Sequence, residues 1–251
     1  MRTLLPAIVI FLPVGQFPCF ASDAEDRSVI QRAINALGGK KKLAMYNSIY
    51  FRAKGILYAP NKKELPTIIE CWYKHPNMIR HVFEVEAGEM KTQQVIRVLN
   101  GTRAWEKSEG QTKELLGSRF DKFRRNFFQQ QVKQLYPILQ SRAIKLRRLP
   151  DSRVGNTSAH AIKISKKGED DTVVYFDKTS FLPIKMTITG TNPDDGHRET
   201  MEVFLSHYKS WRGLLYPSKT FIKVNRNTYM RFEVTDFRFI KKPDAALFAK
   251  P

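Results

Sequence analysis

From Ile49 to Phe239 this chain keeps returning to one pattern, apolar residues at every second position, and that period of two dictates antiparallel β structure with one buried and one wetted face. Ile49, Phe51, Ala53 and Leu57 alternate with Tyr50, Arg52, Lys54 and Tyr58 until Pro60-Asn61 breaks the run. Further strands are predicted at Thr67 to Tyr73, Met78 to Val85 and Gln93 to Leu99, with Trp105 on a return strand. Glu86-Ala87-Gly88 and Asn100-Gly101 supply hairpin turns, the Asn-Gly pair being the stronger signal. The pattern resumes at Ala143 to Leu149, Ala159 to Ser165, Thr172 to Asp177, Pro183 to Thr189, Glu199 to Tyr208, Ser218 to Val224 and Tyr229 to Phe239, with a turn at Asn192 to Gly196. In the last strand the apolar parity slips between Val234 and Phe237, which predicts a β-bulge near Thr235-Asp236.

Two stretches depart from this period. Val29, Ile30, Ala33, Ile34 and Leu37 fall at helical spacing after the acidic start Asp23 to Asp26, and Gly38-Gly39 supplies a left-handed stop. A short helix is expected over Lys40 to Asn47. The second stretch, about Ser118 to Leu139, carries Phe120, Phe123, Phe127, Phe128, Val132, Leu135, Tyr136 and Leu139 as an apolar stripe, with Lys122, Arg124, Arg125 and Lys133 mostly off it. Pro137 should end or kink this helix, because it removes a backbone donor and clashes with the preceding turn. About eleven strands rarely stay one flat open sheet. The expected class is therefore mainly β (α+β): an antiparallel half-barrel whose helices cover its concave apolar face.

The ends and the charge bound the setting. Arg2, the apolar run Leu4 to Val14 and the small residues before Ser22 read as a cleaved signal peptide over residues 1–21, too short and too proline-broken to span a bilayer. Residues 22–251 are then expected to form a single, monomeric domain in the periplasm or outside the cell. With the leader gone Cys71 is the only cysteine, so no internal disulfide can staple the fold. The formal charge of +19 favours anionic partners such as lipid head groups, acidic polymers or an acidic protein. Nucleic acid is not expected, since the sequence carries none of its recognition motifs.

Catalytic patterns are missing. No nucleophile elbow occurs, and the histidines at 75, 81, 160, 197 and 207 are scattered. Cys71 has no thiol partner, no two histidines stand four apart, and the acidic runs Glu169-Asp170-Asp171 and Asp194-Asp195 read as solvated turns. No glycine-rich phosphate cradle precedes a helix. The expectation is a non-enzyme with no cofactor and no metal.

The order of short landmarks resembles the periplasmic lipoprotein-carrier, or LolA-like, family. The carriers of that resemblance are Ala36-Leu37-Gly38-Gly39, Val98-Leu99-Asn100-Gly101 to Trp105, Gly155 to Ile164, and Tyr175-Phe176-Asp177 with Leu182-Pro183-Ile184-Lys185. Tyr208-Lys209 with Gly213 and Pro217, and Asp244-Ala245-Ala246-Leu247-Phe248, complete them. The resemblance implies an unclosed barrel with a hydrophobic cavity for acyl chains of a lipid or lipoprotein, and an envelope membrane protein as a further partner. The expected function is a carrier or sensor of a lipid or lipidated peptide. Candidate cavity and lid residues are Phe120, Phe123, Phe127, Val132, Leu135, Trp72 and Trp105, with Arg124 and Arg125 as head-group or anion contacts. The alternative is an envelope module that binds an anionic polymer or partner protein through its basic surface. In that case reversing Arg124 and Arg125 abolishes binding.

Overall fold

The computed structural model describes residues 23–46, 48–61, 63–86, 93–191 and 196–251. The expected leader, Asn47, and most of the turns expected at 86–88 and 192–196 lie outside them. The chain opens with helix α1 (Asp23–Ala36) and the short α2 (Lys40–Ala44). Six strands follow as a meander: β1 (Ser48–Tyr58), β2 (Glu64–Lys74), β3 (Met78–Val85), β4 (Gln93–Asn100), β5 (Arg103–Ser108) and β6 (Gln111–Leu115). Helices α3 (Gly117–Gln134) and α4 (Tyr136–Gln140) interrupt it. Seven more strands complete the sheet: β7 (Ile144–Val154), β8 (Thr157–Lys166), β9 (Asp171–Asp177), β10 (Pro183–Thr191), β11 (Arg198–Trp211), β12 (Leu214–Val224) and β13 (Asn227–Ile240). A 3-10 turn, Ala245–Phe248, follows the last strand.

All thirteen strands belong to one antiparallel sheet in the order β6-β5-β4-β3-β2-β1-β13-β12-β11-β10-β9-β8-β7. The two meanders thus meet where β1 pairs with β13, which leaves β6 and β7 as the edges. The strand with no counterpart among the expected segments is β6, a polar edge segment in which only Leu115 is buried, so its sequence carries little of the alternation that marks the others. The expected bulge falls where predicted: Arg52 faces Asp236 and Ala53 faces Val234, and the skipped Thr235 donates its hydroxyl to the Arg52 carbonyl at 3.2 Å.

The link between the two edges decides the shape. Thirteen strands laid flat would span roughly 58 Å at the usual spacing. The 18-residue α3 is about 27 Å long, and the five-residue α4 adds under 10 Å. A chain that leaves β6 and re-enters at β7 over so short a bridge requires the sheet to curl, with α3 crossing its concave side.

Two apolar clusters fill that concavity. One gathers Ile49, Phe51, Ile69, Cys71, Tyr73, Ile79, Leu99 and Phe237 from the β1–β5 and β13 side. The other gathers Ile144, Ile162, Ile164, Phe176, Met186 and Leu205 with Ile30 and Ile34 of α1 and Leu37 just after it. The end of α1 is pinned to the β11–β12 hairpin, where Leu215 donates its amide to the Leu37 carbonyl at 2.9 Å. Gly38 sits there at φ 119, and a Cβ on it would lie 2.5 Å from the Gly213 carbonyl oxygen, so the close approach requires glycine.

Candidate functional site

Helix α3 is the element that joins the two clusters. Phe123 and Phe127 are buried in the first, with Phe120 half-buried against it, while Phe128, Val132 and Leu135 are buried in the second. Burying each phenylalanine contributes on the order of 1.5 to 3 kcal/mol, enough to hold the helix in the concavity. The expected single helix over 118–139 is divided. Leu135 adopts φ 58, and α4 begins after it with Pro137 in its first turn. Leu135 donates its amide to the carbonyls of Gln131 and Val132, which closes α3. At the other end Leu116 is 72% exposed and Gly117 has φ 54. Residues of positive φ therefore bracket the helix at both ends.

Polar contacts fasten its outer face. The Arg124 guanidinium donates to Glu169 Oε1 at 2.6 Å and to the Gly168 carbonyl at 2.9 Å, and Arg125 Nε lies 3.3 Å from Asp170 Oδ2. Glu169, expected in a solvated turn, has a side chain only 5% exposed. Gly190 makes room for the Asp170 carboxylate, since a Cβ there would lie 2.5 Å from it. Burial pushes the Asp170 carboxyl up, and Arg125 opposes the shift. Arg124 and Arg125, the expected head-group or anion contacts, are engaged with carboxylates of the β8–β9 turn. The aromatic stripe predicted the helix. Nothing linear in the sequence marks its partners 44 or more residues away.

Beneath α3 lies a polar group inside the apolar face. The Tyr73 hydroxyl and His81 Nε2 share a short hydrogen bond, and the His81 ring meets Tyr73, Phe83 and Phe123 edge-on. His75 Nε2 donates to Gln134 Oε1 at 3.0 Å and its ring meets Phe127. Burial pushes the His81 imidazole down to about 3, and Arg97 and Lys133 add to the shift. An unfolded imidazole titrates near 6.5, so neutral His81 contributes stability that is complete above about pH 6.5 and is lost as pH falls toward 3. Urea midpoints should accordingly fall from pH 7 to pH 4, and fall less steeply in His81→Phe. A variant with the parent's slope would show that another group carries the dependence.

The cavity expected from the sequence is taken up by the helix itself. An apolar space of about 20 Å³ remains, roughly the room for one water, lined by residues that include Lys133, Leu205, Tyr208, Leu215, Tyr216 and Phe239. Two surface clefts of about 370 Å³ lie outside it, one between α1 and α4 and one beside the Arg125 contact. Trp72 and Trp105 do not join the α3 side chains. They pack with Val98 and Phe248 in a separate cluster on the outer face, where Asn100 Nδ2 donates to the Phe248 carbonyl at 3.1 Å. Strand parity explains the difference: Cys71 and Tyr73 point inward, so Trp72 between them points outward. Among the described residues no cluster of three or more His, Cys, Asp or Glu stands close enough to hold a metal ion.

No protein-family model matches this sequence, and no curated protein matches it. Solved structures do. A LolA superfamily protein from Nitrosomonas europaea aligns over 90% of this chain and 97% of its own, with TM-score 0.57 and 12% identity. A candidate outer membrane lipoprotein-sorting protein domain from Vibrio parahaemolyticus aligns over 91% and 98%, with TM-score 0.57 and 12% identity. A DUF1329 family protein from Desulfovibrio piger aligns over 88% and 96%, with TM-score 0.58 and 12% identity. At such identity the likeness concerns architecture, and it coincides with the half-barrel and crossing helix built up above: the protein has the LolA-like fold.

Proposed function

We propose that this protein is an exported, non-catalytic carrier or sensor that takes a lipid or lipidated peptide into its half-barrel, with α3 as the lid. One observation carries the reading: α3 covers an apolar concave face with its own aromatic side chains, yet its outer face is held to the rim by Arg124–Glu169 and Arg125–Asp170. Helix and acyl chain compete for one surface. Lifting α3 exposes Phe123, Phe127 and Phe128 together with the sheet they cover, and hydrocarbon chains satisfy those groups as the helix does. The lipoprotein-sorting description of the Vibrio structure agrees with this use of the fold, although one fold hosts many functions and the lid contacts are the stronger support.

The test is native mass spectrometry with lipid extraction on protein purified from its own envelope fraction. A stoichiometric amphiphile is expected. A protein that arrives unloaded and takes up no amphiphile when offered one would sink the reading and shift attention to the basic exterior.

A further inference from the structure

A half-buried cation borders the apolar interior of the half-barrel, and among the described residues no acidic side chain pairs with it. Lys133, in the last turn of α3, lines the 20 Å³ cavity. Among the described residues the ion pairs of α3 are made by Arg124 and Arg125, and Lys133 makes none. Its titratable surroundings stay neutral near pH 7. Burial pushes the Cys71 thiol up to about 12 and the His81 imidazole down to about 3, and it raises the Tyr73, Tyr208 and Tyr216 hydroxyls as well. Lys133 itself is pushed down to about 8, so it is mostly an ammonium at neutral pH. A partly desolvated cation without a partner opposes folding, and an anion seated against it would recover that cost.

The walls define the rest of the ligand. Leu205, Leu215 and Phe239 are apolar, the Tyr208 hydroxyl is already committed to the Pro183 carbonyl at 2.6 Å, and no second cation lines the cavity among the described residues. One positive charge among mostly hydrocarbon surfaces, with the neutral Gln134 and Tyr216 beside it, matches a small monoanion attached to a single chain.

We infer that Lys133 anchors the carboxylate of a single-chain fatty acid whose tail lies along the concave face that α3 uncovers. The inference rests on the reading of α3 as a lid over an amphiphile site. Because the anchor is carried by the lid, a bound head group ties α3 back across the tail.

Three probes separate the possibilities on the full-length protein: oleate, methyl oleate, and an oleoyl lysophosphatidylglycerol, whose phosphodiester is also a monoanion. The parent should bind oleate roughly 10- to 100-fold more tightly than methyl oleate, the usual gain from a charge-assisted hydrogen bond in a dry site. Lys133→Met should lose that preference while holding methyl oleate as before, and Lys133→Arg should keep it. The urea midpoint of Lys133→Met should be no lower than the parent's, because a desolvated charge has been removed. Equal affinity of the parent for oleate and methyl oleate, or a preference that survives Lys133→Met, overturns the anchor and leaves the amphiphile site standing. Tighter, Lys133-dependent binding of the lysophospholipid overturns the fatty-acid assignment in favour of a phosphate head group. If none of the three binds, the lid reading fails and the anchor with it.

Discussion

Reversing both charges, in Arg124→Glu with Arg125→Glu, should raise the affinity for an uncharged amphiphile such as methyl oleate by roughly 10- to 30-fold. Arg124 donates to Glu169 and Arg125 is ion-paired with Asp170 on the β8–β9 turn, and the Glu169 side chain is nearly buried. Removing a charged hydrogen-bond partner in such a site costs on the order of 1.5 to 3 kcal/mol, less where water reaches the pair as it does at Arg124. Glutamates opposite Glu169 and Asp170 add repulsion. That free energy is lost from the closed arrangement alone, and the apparent affinity rises in proportion to the fraction of molecules with α3 lifted. Amide exchange across 117–134 should quicken while the sheet stays protected, and Glu169→Gln should show the same effect more weakly. The sign matters, because a binding surface built from Arg124 and Arg125 for an anionic partner predicts loss on charge reversal. Unchanged affinity and unchanged exchange at α3 would show that these ion pairs do not hold the lid.

What the sequence revealed and what it hid divide along a physical line. Periodicity reports how a residue faces its own element, so the β13 bulge at Thr235 and the aromatic stripe of α3 were both legible. It reports nothing about which strands become neighbours. Trp72 carried an apolar signal of the right kind and lies on the outer face, because parity fixes sides relative to Cys71 and Tyr73 without naming the side that curls inward. Strand β6 escaped notice because an edge strand need bury only one residue, here Leu115. Arg124 and Arg125 read as surface charge because their partners Glu169 and Asp170 stand 45 residues away in sequence, brought close by the crossing of α3 from one sheet edge to the other. Lys133 read as off the helical stripe, and only the curl of the sheet brings the cavity walls up to it.

If α3 is the gate, then fixing it shut should abolish uptake. Arg125 and Asp170 approach to 3.3 Å through partly buried side chains, so cysteines in their places, joined by a short reducible bis-maleimide, would bind α3 to the β8–β9 turn. Cys71, the only other cysteine of residues 22–251, is 2% exposed and out of reach of the reagent. The double variant before cross-linking should bind at least as well as the parent, since one latch contact is gone while Arg124–Glu169 remains. After cross-linking, oleate binding should fall at least tenfold, because the tail can reach the sheet only by displacing Phe123, Phe127 and Phe128. Reduction of the linker should restore it. Each single-cysteine protein, treated alike, separates closure from the bulk of the reagent. A cross-linked protein that loads as fast and as tightly as the reduced one would mean that amphiphiles enter elsewhere, and the cleft between α1 and α4 would become the next place to look.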